Sequence, residues 1–112
     1  MPAAYSNLYL EQGTTFTTTI TLDDVYGETY NLVGYTASSQ MRKSYYSSNA
    51  TATFDTMVNV GQGSVTLSLD SDVTANIAAG RYVYDAIIFD TNTNVTTRIL
   101  EGIIEVSPRV TR

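Results

Sequence analysis

The acids come first, because two facing carboxylates are enough to hydrolyse a glycoside. Asp23–Asp24 and Glu101 with Glu105 are the close pairs. Asp70-Ser71-Asp72 adds oxygen donors of the kind calcium prefers, but the run lacks the remaining ligands of a calcium loop. Lys43 beside Ser44 sets a possible base next to a hydroxyl nucleophile, with no third group to orient them. The chain contains no histidine and no cysteine. That removes the usual general base, the usual metal ligand, the thiolate nucleophile and any disulfide. Gly61-Gln62-Gly63 is not followed by the further glycine and helix of a phosphate loop. Asn49-Ala50-Thr51 and Asn94-Val95-Thr96 match the glycosylation sequon but read as polar loop residues. Turn solvation accounts for the acid pairs, and capping of a short helix accounts for Asp70. No catalytic residue, cofactor or metal is expected, and the chain reads as non-enzymatic.

Binding is better provided for. Tyrosine offers a large, rigid contact with a polar tip, and interfaces are enriched in it. Tyr5, Tyr9, Tyr26, Tyr45 and Tyr46 fall in polar or turn-like surroundings and are the candidate contacts. Local packing over the ends of the domain is the competing explanation. Thr15, Thr17 and Thr19, continued by Thr21, form an all-threonine face that a partner could cover. Arg109 and Arg112 make a small basic end on an acidic body, suited either to an acidic neighbour or to fraying.

Period-two alternation dominates the elements that carry these residues. Leu8 and Leu10 begin a first strand, broken at Gln12-Gly13. Phe16, Thr18, Ile20 and Leu22 alternate with threonines, and Asp23 to Gly27 reads as a turn. Tyr35 to Met41, Ala50 to Phe54, Val65 to Leu69, Tyr82 to Phe89 and Val95 to Val106 supply further strands. The Tyr82 strand is apolar on both faces and should be central. One short helical turn is expected near residues 70–79, with Asp70 or Ser71 as its cap and Gly80 as its stop. Gly102 marks a bulge or a close approach.

About seven antiparallel strands with turns every 8–12 residues predict an all-β, immunoglobulin-like β-sandwich. A small closed barrel is the alternative. In such sandwiches a tyrosine opening the sixth strand bonds back to the preceding connection, and Gly80-Arg81-Tyr82 stands at that place. Gly80 and Tyr82 are therefore expected to form a structural tyrosine corner, with Tyr84 filling the core.

The 112 residues fit a single domain, 1–112, with a core large enough to need no staples. A net charge of −5 with six basic residues lacks the electrostatic footprint for nucleic acid or an anionic membrane. Met1 to Leu10 has neither a basic nor an apolar leader region, so synthesis in a reducing cytosol is expected. Charged residues are only 15% of the chain, below the ~25% norm, which suits a packed assembly component.

Several runs, in order, resemble small immunoglobulin-like proteins of tailed bacteriophages. Leu8-Tyr9-Leu10-Glu11-Gln12-Gly13-Thr14-Thr15-Phe16 is similar to their opening, an apolar strand followed by a Gly-x-Thr-Phe turn. Asn31-Leu32-Val33-Gly34-Tyr35-Thr36 resembles their Asp-Leu-Thr-Gly-Tyr element, and Met41-Arg42-Lys43 the Ile-Arg-Lys that follows. Gly80-Arg81-Tyr82-Val83-Tyr84-Asp85 resembles Gly-x-Tyr-x-Tyr-Asp, and Gly102-Ile103-Ile104-Glu105-Val106 their last strand. The nearest group is the N-terminal immunoglobulin-like domain of phage baseplate upper proteins, with similar short proteins in T4-like phages of cyanobacteria. The likeness implies a virion structural protein of the tail or baseplate, assembled in a bacterial cytoplasm. Its partners would be other virion proteins, in many symmetric copies, with no nucleic acid or membrane. Capsid decoration, or binding of a host receptor or carbohydrate, is the alternative. No C-terminal receptor or coiled-coil extension of the kind found in that family is expected, which favours a structural accessory over a host-binding role.

Overall fold

A computed structural model describes residues 4–22 and 30–111. Among these residues nine strands form two sheets packed face to face: β1 (Ala4–Tyr5), β2 (Leu8–Glu11), β3 (Phe16–Thr21), β4 (Tyr35–Arg42), β5 (Ala52–Thr53), β6 (Asp55–Asn59), β7 (Ser64–Leu69), β8 (Gly80–Asp90) and β9 (Val95–Ser107). β1 and β2 hold one register on β9, and β5 runs through Phe54 into β6. Nine segments thus make seven extended runs. The larger sheet is ordered β1/β2-β9-β8-β4-β5 and the smaller β3-β7-β6. Among the described residues the two sheets do not join into a closed ring, so the fold is a sandwich and not a barrel.

Alternation builds this arrangement. Along β8, Tyr82, Tyr84, Ala86 and Ile88 are buried while Val83, Asp85, Ile87 and Phe89 point outward. Val65, Leu67 and Leu69 of β7 face them from the smaller sheet, with Leu10, Met41, Phe54, Ile104 and Val106 filling the space between. Phe16 tilts against Phe54, with ring centroids 5.9 Å apart.

Several details differ from what alternation predicts. The first run pairs parallel to β9, not antiparallel. The bulge falls where Ala86 pairs Leu100 and Ile87 pairs Arg98, which leaves Ile99 extra. Consecutive Ile99 and Leu100 are both buried for that reason. Gly102 is instead a close approach: a Cβ there would collide with the Ser6 carbonyl. The helical turn, α1 (Ser71–Thr74), is only four residues long. Asp70 occupies its N-cap position but makes no side-chain cap bond. Its backbone oxygen accepts from Val73 and Thr74.

Candidate interaction surfaces

The outward face of the larger sheet follows from its register. Tyr9 lies beside Glu105, which pairs with Arg81; Tyr5 lies beside Glu101, which pairs with Asp85. Ile103 pairs with Val83, and Arg42 flanks Val83 on β4. Ile87 and Phe89 continue the face toward the β8–β9 turn. Among the described residues nothing covers it. Its aliphatic and aromatic side chains stay half-buried among themselves, and Tyr5 and Tyr9 are 62% and 72% exposed.

Arg98 organises the charge on this face. Its Nη1 donates to Glu101 at 3.0 Å, and its Nε lies 3.4 Å from Asp85. The hydrogen bond to Glu101, then the charge of Asp85, raise the guanidinium's pKa. All three side chains are partly solvated, so the cluster adds little stability. Arg42 is held by the Ser47 carbonyl at 3.0 Å and the Gln40 side chain at 2.9 Å. Arg42, Gln40, Tyr45, Asp85 and Arg98 rim a shallow depression of about 270 Å³. That falls just below the ~300–1,000 Å³ of typical ligand pockets. Tyr45 thus joins Tyr5 and Tyr9 on one side of the molecule, while Tyr46, 96% exposed, projects from the same loop.

Glu101 and Glu105 share a face but sit four residues apart on one strand, roughly 13 Å at the usual rise. That exceeds the ~5–9.5 Å that glycoside hydrolysis needs. Asp85 and Glu101 are the closer facing pair, and Arg98 sits between them as a shared counterion. Among the described residues no three His, Cys, Asp or Glu side chains gather to hold a metal. Asp23–Asp24, like Tyr26 and Arg112, lie outside the described residues.

The other candidates are elsewhere. Thr17 and Thr19 belong to the outward face of the smaller sheet, with Thr15 just before the strand. Thr19 shares a 3.1 Å hydroxyl contact with Thr66, and Asn59 donates to Thr66 and Ser64. Arg109 is at one end of the sandwich, its side chain across Gly13, whose φ of +77° and missing Cβ make room for it. Its backbone N–H donates to Gln12 Oε1 at 3.2 Å, while Gln12 Nε2 donates to the Ile77 carbonyl at 2.7 Å. Arg109 is therefore tied into the fold.

Tyr82 Oη donates to the Ala78 carbonyl at 2.6 Å, reaching back across the connection that precedes its strand, and Lys43 Nζ lies 4.9 Å above its ring. Gly80 opens that strand with φ +147°. Tyr84 Oη crosses the core to the Ser6 carbonyl at 2.6 Å. Burial raises the Tyr84 phenol to about 12, against an opposing effect of that hydrogen bond. Tyr35 is raised to about 12 as well, first by its hydroxyl contact with Tyr30.

Sequence reasoning missed Arg42, Asp85 and Arg98 as surface residues of interest. Their outward positions along alternating strands were visible; their convergence depends on register, which was not. No family model matches this chain, and no curated protein matches its sequence.

Proposed function

We propose that the chain is a non-enzymatic bacteriophage virion protein, an immunoglobulin-like module that joins other proteins of the tail or baseplate. The observation that carries this reading is the uncovered face of the larger sheet. It combines exposed Tyr5 and Tyr9 with half-buried Val83, Ile87, Phe89 and Ile103. It also holds Arg42, Arg81 and Arg98 against Asp85, Glu101 and Glu105, a balanced set on a chain of net charge −5. An apolar centre with aromatic anchors and compensated charge is the composition of a protein interface. The order of motifs along the chain supplies the phage context.

Mass spectrometry of purified particles tests the reading. The chain should be present in many copies, and Tyr5→Ser with Tyr9→Ser should reduce its incorporation without unfolding it. Absence from the particle rejects the proposal. Comparing tail-less heads with complete particles separates capsid decoration from a tail or baseplate position. A second reading, recognition of a carbohydrate or host receptor, is favoured by the Tyr45–Arg98 depression and its polar rim. It requires glycan or host-cell binding by the isolated domain that Tyr45→Ala abolishes.

A further inference from the structure

We propose that β3 is a self-pairing edge, along which two copies of this chain join antiparallel into one continuous sheet. The smaller sheet is three-stranded, so the union has the order β6-β7-β3-β3-β7-β6. Open sheet edges invite pairing, and proteins guard them with kinks, charges, short strands or cover. Three of the four edges here are guarded. The first run is interrupted at Ser6–Asn7, where the Ser6 carbonyl turns to the Tyr84 hydroxyl. β5 has two residues. β6 is bridged to β4, with Thr56 Oγ1 donating to the Ala37 carbonyl and Phe54 N–H to the Ser39 carbonyl. Among the described residues β3 has none of these devices. Its six residues, Phe-Thr-Thr-Thr-Ile-Thr, carry no charge, proline or glycine, and its register with β7 has no break.

The backbone phase of β3 is fixed. Leu22 N–H donates to the Gly63 carbonyl at 2.8 Å, one step beyond the pair Thr21–Ser64. In an antiparallel ladder hydrogen-bonded pairs alternate with non-bonded ones. Ile20, Thr18 and Phe16 therefore bond inward to β7, while Thr17, Thr19 and Thr21 turn their N–H and C=O groups to the free side. Antiparallel pairing centred on Thr19 sets Thr17 against Thr21 of the second copy, and Thr18 against Ile20. Outward side chains meet only threonine, while inward Thr18 meets Ile20 and Phe16 meets Leu22 of the second copy. Such self-matching is what a two-fold interface requires. An uncharged edge also adds no like-charge contact to two chains of net charge −5.

The test is sedimentation velocity across a concentration series, with far-UV circular dichroism as the folding control. The wild-type chain should show a concentration-dependent dimer. Thr19→Pro removes only an edge-directed N–H, so it should fold and remain monomeric. Thr19→Lys sets like charges opposite each other at the two-fold and should also remain monomeric. Thr18→Pro should unfold the chain, because that N–H belongs to the internal ladder. Tyr9→Ser, on the other sheet, should dimerise normally. A wild-type monomer up to the solubility limit overturns the proposal, as does a dimer that survives Thr19→Lys. Unfolding of Thr19→Pro with tolerance of Thr18→Pro overturns the assigned phase. The inference does not rest on the particle assignment, so each can fail alone.

Discussion

At Ser6, one carbonyl oxygen joins three distant parts of the chain. It accepts from Tyr84 Oη at 2.6 Å and lies over Gly102, which is the strand partner of Tyr84. Gly102→Ala puts a methyl group against backbone that cannot swing aside, and an overpacked core costs ~1–3 kcal/mol. Tyr84→Phe removes a neutral hydrogen bond worth ~0.5–1.5 kcal/mol. Since Gly102→Ala displaces the Ser6 acceptor, the double variant should lose less than the two single losses combined, which urea unfolding will measure. Tyr84 also predicts an alkaline limit. Its phenol ionises near 10.0 when unfolded and about 12 when folded. Above the lower value the unfolded chain binds fewer protons than the native one, so stability falls as pH rises from about 10 to about 12. Below that window the contribution is fully present. Tyr84→Phe should show a shallower loss of stability across the same range. The sequence marked Gly102 as exceptional without revealing why, because its reason is a residue that arrives from the opposite end of the chain.

Strands were more legible than connections. Most apolar–polar alternations from Phe16 onward correspond to strands, since period two is a local property of a pleated chain, but of Ala50 to Phe54 only Ala52–Thr53 is extended, and β6 over Asp55–Asn59 was not read from the sequence. The connection after β7 was legible only as a helical turn. Val73 and Ile77 stand at helical spacing, yet Val73 is 41% exposed and buried Thr74 is the anchor. Thr74 Oγ1 is within hydrogen-bond distance of the Thr14 carbonyl at 2.7 Å and the Ser71 carbonyl at 3.1 Å, so a polar residue fixes this short turn. Gln12 does the same from the β2–β3 turn, linking the connection to the segment after β9. Neither bond has a periodic signature. Gln12→Ala should cost about 1–3 kcal/mol, from two hydrogen bonds at ~0.5–1.5 kcal/mol each. The denaturation midpoint should fall with an unchanged slope, because the native sandwich persists. Amide exchange in residues 109–111 should accelerate in the same variant. The candidate surface was half-legible for a related reason: alternation assigns Tyr5 and Tyr9 to one side of a strand, but only the long-range parallel pairing puts them beside Glu101 and Glu105.

Across the whole molecule, the pairings differ greatly in the length of chain that each must close. β8 and β9 are the longest strands, joined by the four-residue turn Thr91–Asn94, which Asp90 stabilises by accepting from the Asn92 and Asn94 N–H groups. β1 meets the same strand β9 only by pairing Ala4 with Leu100, a separation of 96 residues. Loop-closure entropy rises as the logarithm of length, so closing 96 residues rather than four costs roughly 3 kcal/mol more. The β8–β9 hairpin can therefore order early, whereas the first run repays its closure only after the sheet it joins exists. Folding in milliseconds to seconds is expected of such non-local topology. Ile88→Val and Leu10→Ala separate the two stages. Each removes buried aliphatic volume, at ~0.5–1.5 and ~2–5 kcal/mol respectively. Stopped-flow chevrons should show Ile88→Val slowing folding, with most of its loss on the folding limb. Leu10→Ala should leave the folding limb nearly unchanged and accelerate unfolding. If Leu10→Ala slows folding by its full equilibrium loss, the first run is part of the nucleus, and the order of assembly is the reverse of the one that loop entropy dictates.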